Sequence, residues 1–467
     1  MHRLNGLEDG FLTRENATQR SNTGALIRLR LDDATQPITL DALRRHVASR
    51  LDLVPSFRQH IRHVPLGLHH PVFVDDPTFD LDFHVGELTL PPPGDDATLH
   101  ATFAEHTTRA FDTSRPAWRM TLVHGLADGN QALFFIFHHI LMDGVGYIST
   151  LDGLFTDTAP DKPYARPFRP ENPSKGKLLA DALKEQSKQL VRLPRLIRQT
   201  RQGRAAMAAR IAATAHEVPP PPPTRLPLNP DYAPSLRRTF ATVDLPFADV
   251  RAVRKGSGVT INTVLLAVTA ISLRRYLLRR NQLPDAPLVA GVMASTEPLD
   301  APPRQDGNYF ANFVVPLATD LDDPWAQMQF ISAAAAEGKK RLEILGIDTQ
   351  NRLLDIIPPA VAIPMNKRTD KRMMAGPMRM RASVSFSNVR GADGYHFMGA
   401  TVSGLYTYGP IGDAIGIFIA ATNLGETFHM SLTSNPTALE DPAELAELFT
   451  ETLAELVELA SSRSQPG

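Results

Sequence analysis

The sequence contains no cysteine, and this absence removes several kinds of chemistry. A chain without thiols forms no disulfide, holds no metal through a thiolate and offers no cysteine nucleophile. Neither sign of charge dominates, because 49 Lys and Arg residues stand against 50 Asp and Glu residues. The overall charge therefore does not indicate a nucleic-acid partner, and we expect none. Covalent chemistry on this protein has to use side chains other than cysteine.

Long apolar runs are also missing. Residues 414–421 form one of the longest, whereas a membrane-spanning helix needs about 20 residues. The first six residues lack the basic start and the apolar centre of a secretory signal. An apolar helix is predicted over 262–278 with Thr260 as its cap, and its uniform apolarity indicates burial inside the protein. We therefore expect a soluble or peripheral protein.

The length of 467 residues, 43% of them apolar, predicts two domains with cores of their own. Strand-like and helix-like stretches alternate without a strict βαβ repeat, which indicates an α/β or α+β fold. Residues 219–223 are five consecutive prolines, typical of an extended linker. The predicted division is a first domain over 1–160, a basic and proline-rich linker over 161–234, and a second domain over 235–467.

One apolar run leads into a histidine pair and an Asp-Gly turn. Residues 131–139 predict a buried strand that forms a hairpin with residues 121–124 across a turn at 128–130. Successive side chains of a strand point to opposite faces, so one histidine should face a reactant while the other braces the backbone. A neutral imidazole can accept a hydroxyl proton near neutral pH. A core strand closed by a turn is an equal alternative, and a metal site is not predicted because no third ligand is evident.

A basic segment follows, with 13 Lys and Arg against 3 Asp and Glu between residues 162 and 210, a net charge of +10. On a helical wheel its apolar and basic residues separate, and a kink is expected at Pro194. The apolar stripe is Leu179, Leu183, Leu190, Leu193 and Ile197, and the opposite side carries Lys184, Lys188, Arg192 and Arg195. Three interpretations compete: a surface helix packed on the protein, an interfacial helix on an anionic membrane, and attraction of a phosphate-bearing substrate.

The stretch from His138 to Gly144 reads His-His-Ile-Leu-Met-Asp-Gly and fits the pattern His-His-x-x-x-Asp-Gly. With it the sequence resembles the bacterial wax ester synthase/diacylglycerol acyltransferase family, a branch of the CoA-dependent acyltransferases. Weaker signatures of that family occur in order at residues 7–12, 55–58, 75–80, 115–118, 258–263, 307–308 and 387–391. Ala117, Thr263 and Arg390 depart from the usual leucine, aspartate and proline, and the effect of Thr263 on activity stays open. A second pair, His69-His70, lacks the spacing and is predicted to be structural.

The resemblance implies two chloramphenicol-acetyltransferase-like domains joined by a crossover linker, with the active site in a tunnel between them. It implies transfer of a long-chain acyl group from acyl-CoA, a co-substrate rather than a bound cofactor, to diacylglycerol or a long-chain alcohol. The expected location is cytoplasmic, at an anionic membrane or lipid-droplet surface. A condensation-type or polyketide-associated enzyme that uses a carrier-protein thioester is the alternative. An acyl-lipid-binding protein that has lost catalysis is a further one.

The predicted catalytic residues are His139, His138 and Asp143. His139 is expected to be the general base of a ternary complex and then to protonate the departing thiolate. His138 and Asp143 support it, and Asp143 orients the loop through an arginine or backbone amides. The predicted substrate-binding residues are Gly144, which leaves room for the thioester, together with Asn262 and Trp118. Asn262 either donates towards oxyanion charge or is a buried amide that holds two strands together.

Overall fold

The structure is a computed structural model that describes residues 1–32, 36–155, 168–170, 172–220, 224–225, 234–298, 301–302, 304–374, 379–380, 382–412 and 415–463. Its strands are β1 (His2–Arg3), β2 (Asn22–Arg30), β3 (Gln59–Arg62), β4 (Val72–Asp75), β5 (Val85–Thr89), β6 (Trp118–His124), β7 (Gln131–His138), β8 (Thr224–Arg225), β9 (Thr239–Pro246), β10 (Val289–Ser295), β11 (Phe310–Pro316), β12 (Arg379–Met380), β13 (Val384–Ala392), β14 (His396–Phe397), β15 (Ala400–Tyr408), β16 (Ile417–Leu424) and β17 (Thr427–Ser434). Its α-helices are α1 (Gly6–Thr13), α2 (Leu40–Arg50), α3 (Leu81–His84), α4 (Asp96–Thr107), α5 (Gly144–Phe155), α6 (Lys175–Thr214), α7 (Phe247–Ser257), α8 (Ile261–Arg279), α9 (Pro324–Leu345), α10 (Thr349–Leu354), α11 (Pro359–Met374) and α12 (Pro442–Arg463). Single 3-10 turns cover Leu51–Leu53, Pro55–Arg58 and Pro65–Gly67.

The first large sheet has the strand order β14-β15-β2-β7-β6-β5 and is antiparallel except for the parallel pair β5 and β6. The predicted hairpin is confirmed, because β6 and β7 pair antiparallel with Thr121 opposite Phe134. Strand β7 is buried on both faces. Phe135 and Phe137 pack into one apolar cluster, and Phe134 and Ile136 pack into another on the opposite face. The rigid end of this strand positions the histidine pair.

The second large sheet has the order β11-β10-β13-β16-β17-β9 and is mixed, since β13 lies parallel to both β10 and β16. Helices α8 and α12 pack together, with Ser272 donating a hydrogen bond to the Leu448 carbonyl at 3.0 Å. Two sheets with helices against them confirm the predicted mixed α/β architecture of two domains. Smaller sheets join β1, β4 and β3, and β8 and β12.

The two halves of the chain are interlocked. Strands β14 and β15 come from the region assigned by sequence to the second domain, yet β15 pairs with β2 in the first sheet. The hydroxyls of Thr407 in β15 and Thr422 in β16 lie 2.8 Å apart, so the sheets meet at this point. The predicted boundary at residue 160 falls outside the described residues. The division into 1–160, 161–234 and 235–467 stays a prediction.

Helix α8 is the predicted apolar helix, and Thr260 caps it as expected by accepting the Thr263 N–H at 3.1 Å. Within the described part of the chain it alone is long and apolar enough to cross a membrane, a length that the sequence analysis did not expect of any run. The helix is 72% buried inside the protein and contributes Val264 to Val268 to the second core. Its apolarity is explained by this burial.

Helix α6 is continuous through Pro194 over 40 residues, but its packing face differs from the predicted stripe. The side chains that are buried against the protein include Leu178, Ala182 and Leu196. Leu183 and Leu190 of the predicted stripe are instead exposed, by 58% and 54%. A shift of one residue along a helix rotates the side chain by about 100°, so α6 contacts the protein through a neighbouring face. The predicted apolar stripe faces solvent over much of its length.

Candidate active site

The two histidines stand at the end of β7 and point to different surroundings. The His138 N–H donates to the Ala117 carbonyl at 2.8 Å, beside β6, and the His139 N–H donates to the Ser21 carbonyl at 2.8 Å, beside β2. This alternation of backbone partners is that of an extended strand. Their side chains therefore occupy separate environments, as strand geometry predicts.

His138 lies inside the protein with 1% of its surface exposed. Its Nδ1 accepts the backbone N–H of Ile140 at 3.2 Å, and its Nε2 lies 3.5 Å from an oxygen of Glu15. The first contact closes the turn that leaves β7. The geometry is that of a residue that braces the backbone.

His139 is held by Asn308 from the far side of the molecule. The Asn308 side-chain amide donates to the His139 carbonyl at 2.8 Å, so its Oδ1 is the atom that lies 2.8 Å from His139 Nδ1. A carbonyl oxygen only accepts, which places the ring proton on Nδ1. Nε2 of the neutral imidazole then carries the free lone pair. This is the tautomer that a general base requires.

Two aromatic rings enclose the His139 imidazole. The Phe11 ring stacks on it with centroids 4.3 Å apart and planes 15° from parallel, and the Phe310 ring lies 5.9 Å away. Burial lowers the pKa of His139 below its usual range, while the nearby charge of Asp143 opposes this shift. The imidazole is therefore neutral at neutral pH and can accept a proton.

Asp143 binds an arginine and backbone amides, as the sequence analysis expects. One oxygen accepts the N–H groups of Val145 and Gly146 at 3.0 and 3.1 Å and so caps the first turn of α5. The other oxygen lies 2.6 Å from Arg304 Nη2 and 2.9 Å from the Tyr309 N–H. All four contacts orient the loop, and Asp143 has no hydrogen bond to His139 among the described residues.

Arg304 connects this carboxylate to the segment before β11, which carries Asn308. It also pairs with Glu297 at 2.7 Å and donates to the carbonyls of Asp306 and Gly307. Burial lowers the pKa of Arg304, but the hydrogen bonds to Glu297 and Asp143 outweigh this effect and raise it. The guanidinium is fully charged, and it pairs with the Asp143 side chain in a buried setting, where an unpaired charge would be costly.

The position of Asn308 depends in turn on Glu8 of α1. One oxygen of Glu8 accepts the Asn308 N–H at 3.0 Å and the other accepts the Asn5 N–H at 2.8 Å, which completes a capping box. Glu8 is 1% exposed, and burial raises its pKa to about 8. Helix α1 thus supplies both Phe11 on one face of the imidazole and the support of its partner amide.

A cavity of about 50 Å³ lies beside His139, between the two halves of the fold. Phe137, Tyr147 and Gly144 line it from the first half, and Ser387 and Val389 of β13 line it from the second. A side chain in place of Gly144 would put its Cβ 2.9 Å from Val389 Cγ2, so this glycine lets β13 approach the loop. The predicted tunnel stays a prediction, because the cavity has space for only one or two water-sized groups.

Tyr147, one of the residues that line this cavity, carries an unusual polar atom. The residue is 2% exposed, and its hydroxyl has no hydrogen-bond partner among the residues that the structure describes. Burial raises the pKa of Tyr147 well above its usual range, so the hydroxyl keeps its proton. A buried donor without an acceptor is costly, and such groups often mark a ligand or water position.

Asn262 and Trp118 are not among the described residues that line the cavity. Asn262 lies in the first turn of α8 and accepts a hydrogen bond from Asn388 of β13 at 3.4 Å, next to the cavity residues of that strand. Trp118 is fully buried, stacks on Phe57 at 4.3 Å and donates its indole N–H to the Phe57 carbonyl at 2.9 Å. Direct contact of Trp118 with a substrate stays a prediction that this placement does not support.

Thr263 and the second histidine pair have structural surroundings. The Thr263 hydroxyl lies 2.9 Å from that of Thr260, within the cap of α8. His70 is buried and links Asp9 at 2.9 Å to the Asp355 carbonyl at 3.0 Å. Over the described ranges, no group of three or more His, Asp or Glu side chains has the arrangement of a metal site.

Sequence reasoning named the histidine loop but missed the residues that hold it, namely Asn308, Arg304, Glu8 and Phe11. All but the arginine lie within family signatures, since residues 307–308 and 7–12 were noted for their resemblance without a role. Arg304 carries no local signal. It is 161 residues from Asp143 along the chain, and only folding brings the pair together.

The chain is similar to known proteins over most of its length. The profile of the wax ester synthase/diacylglycerol acyltransferase catalytic domain matches residues 4–265, and that of the WS/DGAT C-terminal domain matches residues 306–457. A Mycobacterium tuberculosis protein, provisionally named a diacylglycerol O-acyltransferase, is 28% identical over 100% of this chain and 99% of its own. A second, with the same provisional name, is 29% identical over 95% and 93%.

Solved structures show the same fold. The wax ester synthase/diacylglycerol acyltransferase of Marinobacter aquaeolei VT8 superposes with a TM-score of 0.67 at 22% identity, over 98% of this chain and 100% of that one. The starter condensation domain of rhizomide synthetase, solved with C8-CoA, gives a TM-score of 0.56 at 14% identity, over 100% and 96%. The two family profiles cover most of the chain, and the chain belongs to the wax ester synthase/diacylglycerol acyltransferase family of acyltransferases.

Proposed function

We propose that this protein transfers a long-chain acyl group from acyl-CoA to a lipid hydroxyl, of diacylglycerol, a long-chain alcohol or both. The observation that carries the proposal is the state of His139. Its Nδ1 proton is held by Asn308, its Nε2 has no hydrogen-bond partner among the described residues, and its ring borders a cavity between the two halves of the fold. Membership of the family and the names of the relatives support these substrates.

The reaction proceeds in a ternary complex, which is the simpler route in a chain without cysteine. His139 Nε2 removes the proton of the acceptor hydroxyl as its oxygen attacks the thioester carbonyl. The tetrahedral intermediate collapses with cleavage of the carbon–sulfur bond. The imidazolium then gives its proton to the CoA thiolate, so the products are an ester and free CoA thiol.

The Tyr147 hydroxyl is the candidate donor to the oxyanion of that intermediate. It is a protonated donor without a partner in the described structure, and it belongs to a residue that lines the same cavity as His139. Asn262, the donor considered from sequence, lies in the first turn of α8 and contacts Asn388 instead. A preorganised donor at the oxyanion stabilises the transition state more than the ground state.

The test is a purified-protein assay with labelled palmitoyl-CoA, offered hexadecanol and diacylglycerol separately, with the lipid products resolved. His139→Ala should fold normally and lose acyl transfer by at least about 100-fold, since a positioned general base contributes that much or more. Near-normal turnover by this variant would refute the role of His139. Transfer from free acyl-CoA without a carrier protein excludes the carrier-dependent alternative, and binding without thioester consumption supports the acyl-lipid-binding one.

Helix α6 supports a second part of the proposal, cytoplasmic location with peripheral attachment to an anionic membrane or lipid-droplet surface. Its exposed side carries Leu183, Leu190 and Val191, the last 81% exposed. The exposed Lys184 and Lys188 alternate with them along the helix. Apolar side chains flanked by lysines favour insertion at the boundary of an anionic bilayer.

Vesicle sedimentation tests this attachment with phosphatidylcholine vesicles that contain or lack phosphatidylglycerol. Lys184→Glu/Lys188→Glu should bind the anionic vesicles more weakly, and wild-type binding should decrease with salt because the attraction is screened. Lys339→Glu/Lys340→Glu, on the exposed side of α9, changes charge equally and should bind as wild type does. Salt-insensitive binding, or equal loss in both variants, would contradict the proposed surface.

A further inference from the structure

A groove with a volume of about 570 Å³ lies outside the catalytic cavity, between α6 and the segment that includes α10. This is within the range of pockets that bind small molecules and cofactors. The residues that line it are Gln189, Arg192, Arg195, Leu196, Gln199, Arg352, Asp355 and Ile356. Three guanidinium groups thus converge on one depression.

The positive charge of this groove is available to a ligand. Arg192 and Arg195 are exposed and form no ion pair with any described residue. Arg352 pairs with Asp348 at 2.6 Å but keeps 62% of its side chain exposed. The single lining carboxylate, Asp355, already accepts the Gly6 N–H at 2.7 Å. Arginine forks bind phosphate oxygens in pairs, so the groove suits a phosphorylated ligand.

The groove also offers contacts to an aromatic base. The side-chain oxygen of Gln189 is buried and accepts no hydrogen bond from the described residues. Leu196 and Ile356 add apolar surface beside it. An acceptor that has lost water needs a donor, and the exocyclic amine of adenine is a donor attached to a flat apolar ring.

A second cavity of about 440 Å³ continues the groove towards the active site. The two share Leu196, Gln199 and Arg352. The second is also lined by Thr296, whose N–H donates to the Tyr309 carbonyl at 2.8 Å. The Tyr309 N–H in turn donates to Asp143 at 2.9 Å, so this end of the groove borders the segment before β11 that supports the histidine loop.

We propose that this groove binds the phosphate-bearing nucleotide part of acyl-CoA. Arg192, Arg195 and Arg352 contact the phosphates, and Gln189 accepts the adenine amine. The pantetheine arm then extends past Thr296 towards His139. The inference rests on the proposed use of acyl-CoA as donor and adds the residues that recognise it.

A lipid headgroup shares the phosphate chemistry, but the concave shape favours the nucleotide. A headgroup at a membrane surface needs basic side chains that project outwards, as Lys184 and Lys188 do on α6. The groove instead combines a recess, a buried unpaired acceptor and apolar walls. These features match a nucleotide.

The experiment compares Arg192→Glu/Arg195→Glu with Arg198→Glu/Arg201→Glu, a matched pair on exposed parts of the same helix that do not line the groove. Substrates are octanoyl-CoA and S-octanoyl-N-acetylcysteamine, which has the thioester but no nucleotide. The groove variant should raise the KM for octanoyl-CoA about 10- to 100-fold, the range of charge-assisted hydrogen bonds to phosphate. Its turnover of the cysteamine thioester should equal that of wild type, and the control variant should match wild type with both.

Equilibrium dialysis with CoA separates this inference from the proposed function. Loss of CoA binding in the groove variant alone supports the groove, even if the wild type transfers no acyl group and the proposed function fails. An unchanged KM and an unchanged Kd for CoA in the groove variant overturn the inference, as does equal loss in both variants. Retained CoA binding with loss of binding to phosphatidylglycerol vesicles also overturns it and assigns the arginines to a headgroup.

Discussion

Asn308→Ala is the most informative perturbation of the site, because it removes the group that selects the tautomer of His139 without touching the base. The variant loses two side-chain hydrogen bonds of 2.8 Å, one to the His139 ring and one to its carbonyl. A neutral hydrogen bond contributes about 0.5–1.5 kcal/mol net, which is about 2- to 12-fold in rate. A displacement of about 1 Å of a catalytic group can cost about 100-fold.

We therefore expect kcat/KM to fall about 10- to 100-fold, chiefly through kcat, and less than in His139→Ala. The pH profile gives an independent reading. The neutral imidazole is the active form, and burial already lowers the pKa of His139, so wild-type kcat/KM should fall only as pH drops below about 6.5. The hydrogen bond that the His139 ring donates to Asn308 opposes that shift, so its removal should move this acid limb to still lower pH.

The assay is acyl transfer from palmitoyl-CoA with circular dichroism to verify folding. Asn312→Ala, an exposed residue of β11 four positions away, is the matched control and should retain wild-type rates. In a double variant with His139→Ala, the loss of Asn308 should add nothing, because the residue acts through the imidazole. Full additivity in that cycle, or an unchanged acid limb in Asn308→Ala, would refute the reasoning.

Three further predictions concern the surroundings of the loop. Asp143→Asn removes the charge opposite Arg304, so denaturant titration should show a decrease of about 1–3 kcal/mol in the free energy of unfolding. The loss of this negative charge should also lower the pKa of His139 further, which the pH profile of activity would show. Burial raises the pKa of Glu8 to about 8, so between about pH 4.5 and pH 8 the folded state binds a proton on Glu8 that the unfolded state has lost. The melting temperature of the wild type should therefore decrease as pH rises through this range. Glu8→Gln should remove this decrease. Tyr147→Phe should keep or raise the melting temperature, because it deletes a donor without a partner. If the hydroxyl binds the oxyanion, the variant should also lower kcat by about 10- to 100-fold, since removal of one oxyanion donor in a known enzyme lowers kcat about 100- to 1,000-fold.

Each of these three has a clear contrary outcome. An Asp143→Asn protein as stable as wild type would mean that Arg304 is satisfied by Glu297 alone. Melting temperatures that rise from pH 5 to pH 8 in the wild type would contradict a raised pKa at Glu8. Wild-type kcat in Tyr147→Phe would remove the hydroxyl from the mechanism.

The strand and the loop could be predicted because their signals are local. The alternation of β7, the turn before it and the spacing of His138, His139 and Asp143 are written within some twenty residues. The rule that adjacent strand side chains diverge separated the bracing histidine from the other one. The cap and burial of α8 were local signals in the same way. The match of many ordered segments then identified the family.

Helix α6 shows where local pattern fails. A wheel of its residues displays an apolar stripe, but the side chains that pack on the protein lie on a neighbouring face. What decides the face is the surface that α6 meets, including α9, where Arg210 pairs with Glu337 at 2.7 Å. Because α6 packs through this neighbouring face, Leu183 and Leu190 are exposed, and Arg192 and Arg195 line the groove beside α10. The periodicity of one helix does not indicate which surface of the protein the helix packs against.

The sequence by itself determined the histidine loop, the mixed α/β architecture and the family. Only the tertiary structure decided which residues hold the loop, because Asn308 and Arg304 reach His139 and Asp143 across separations of 169 and 161 residues. The proton on Nδ1 and the lowered pKa of the base are consequences of those long-range contacts and of burial. The sequence specifies which chemical groups are present. Their chemistry depends on the distances between them and on their exposure to solvent, and folding sets both.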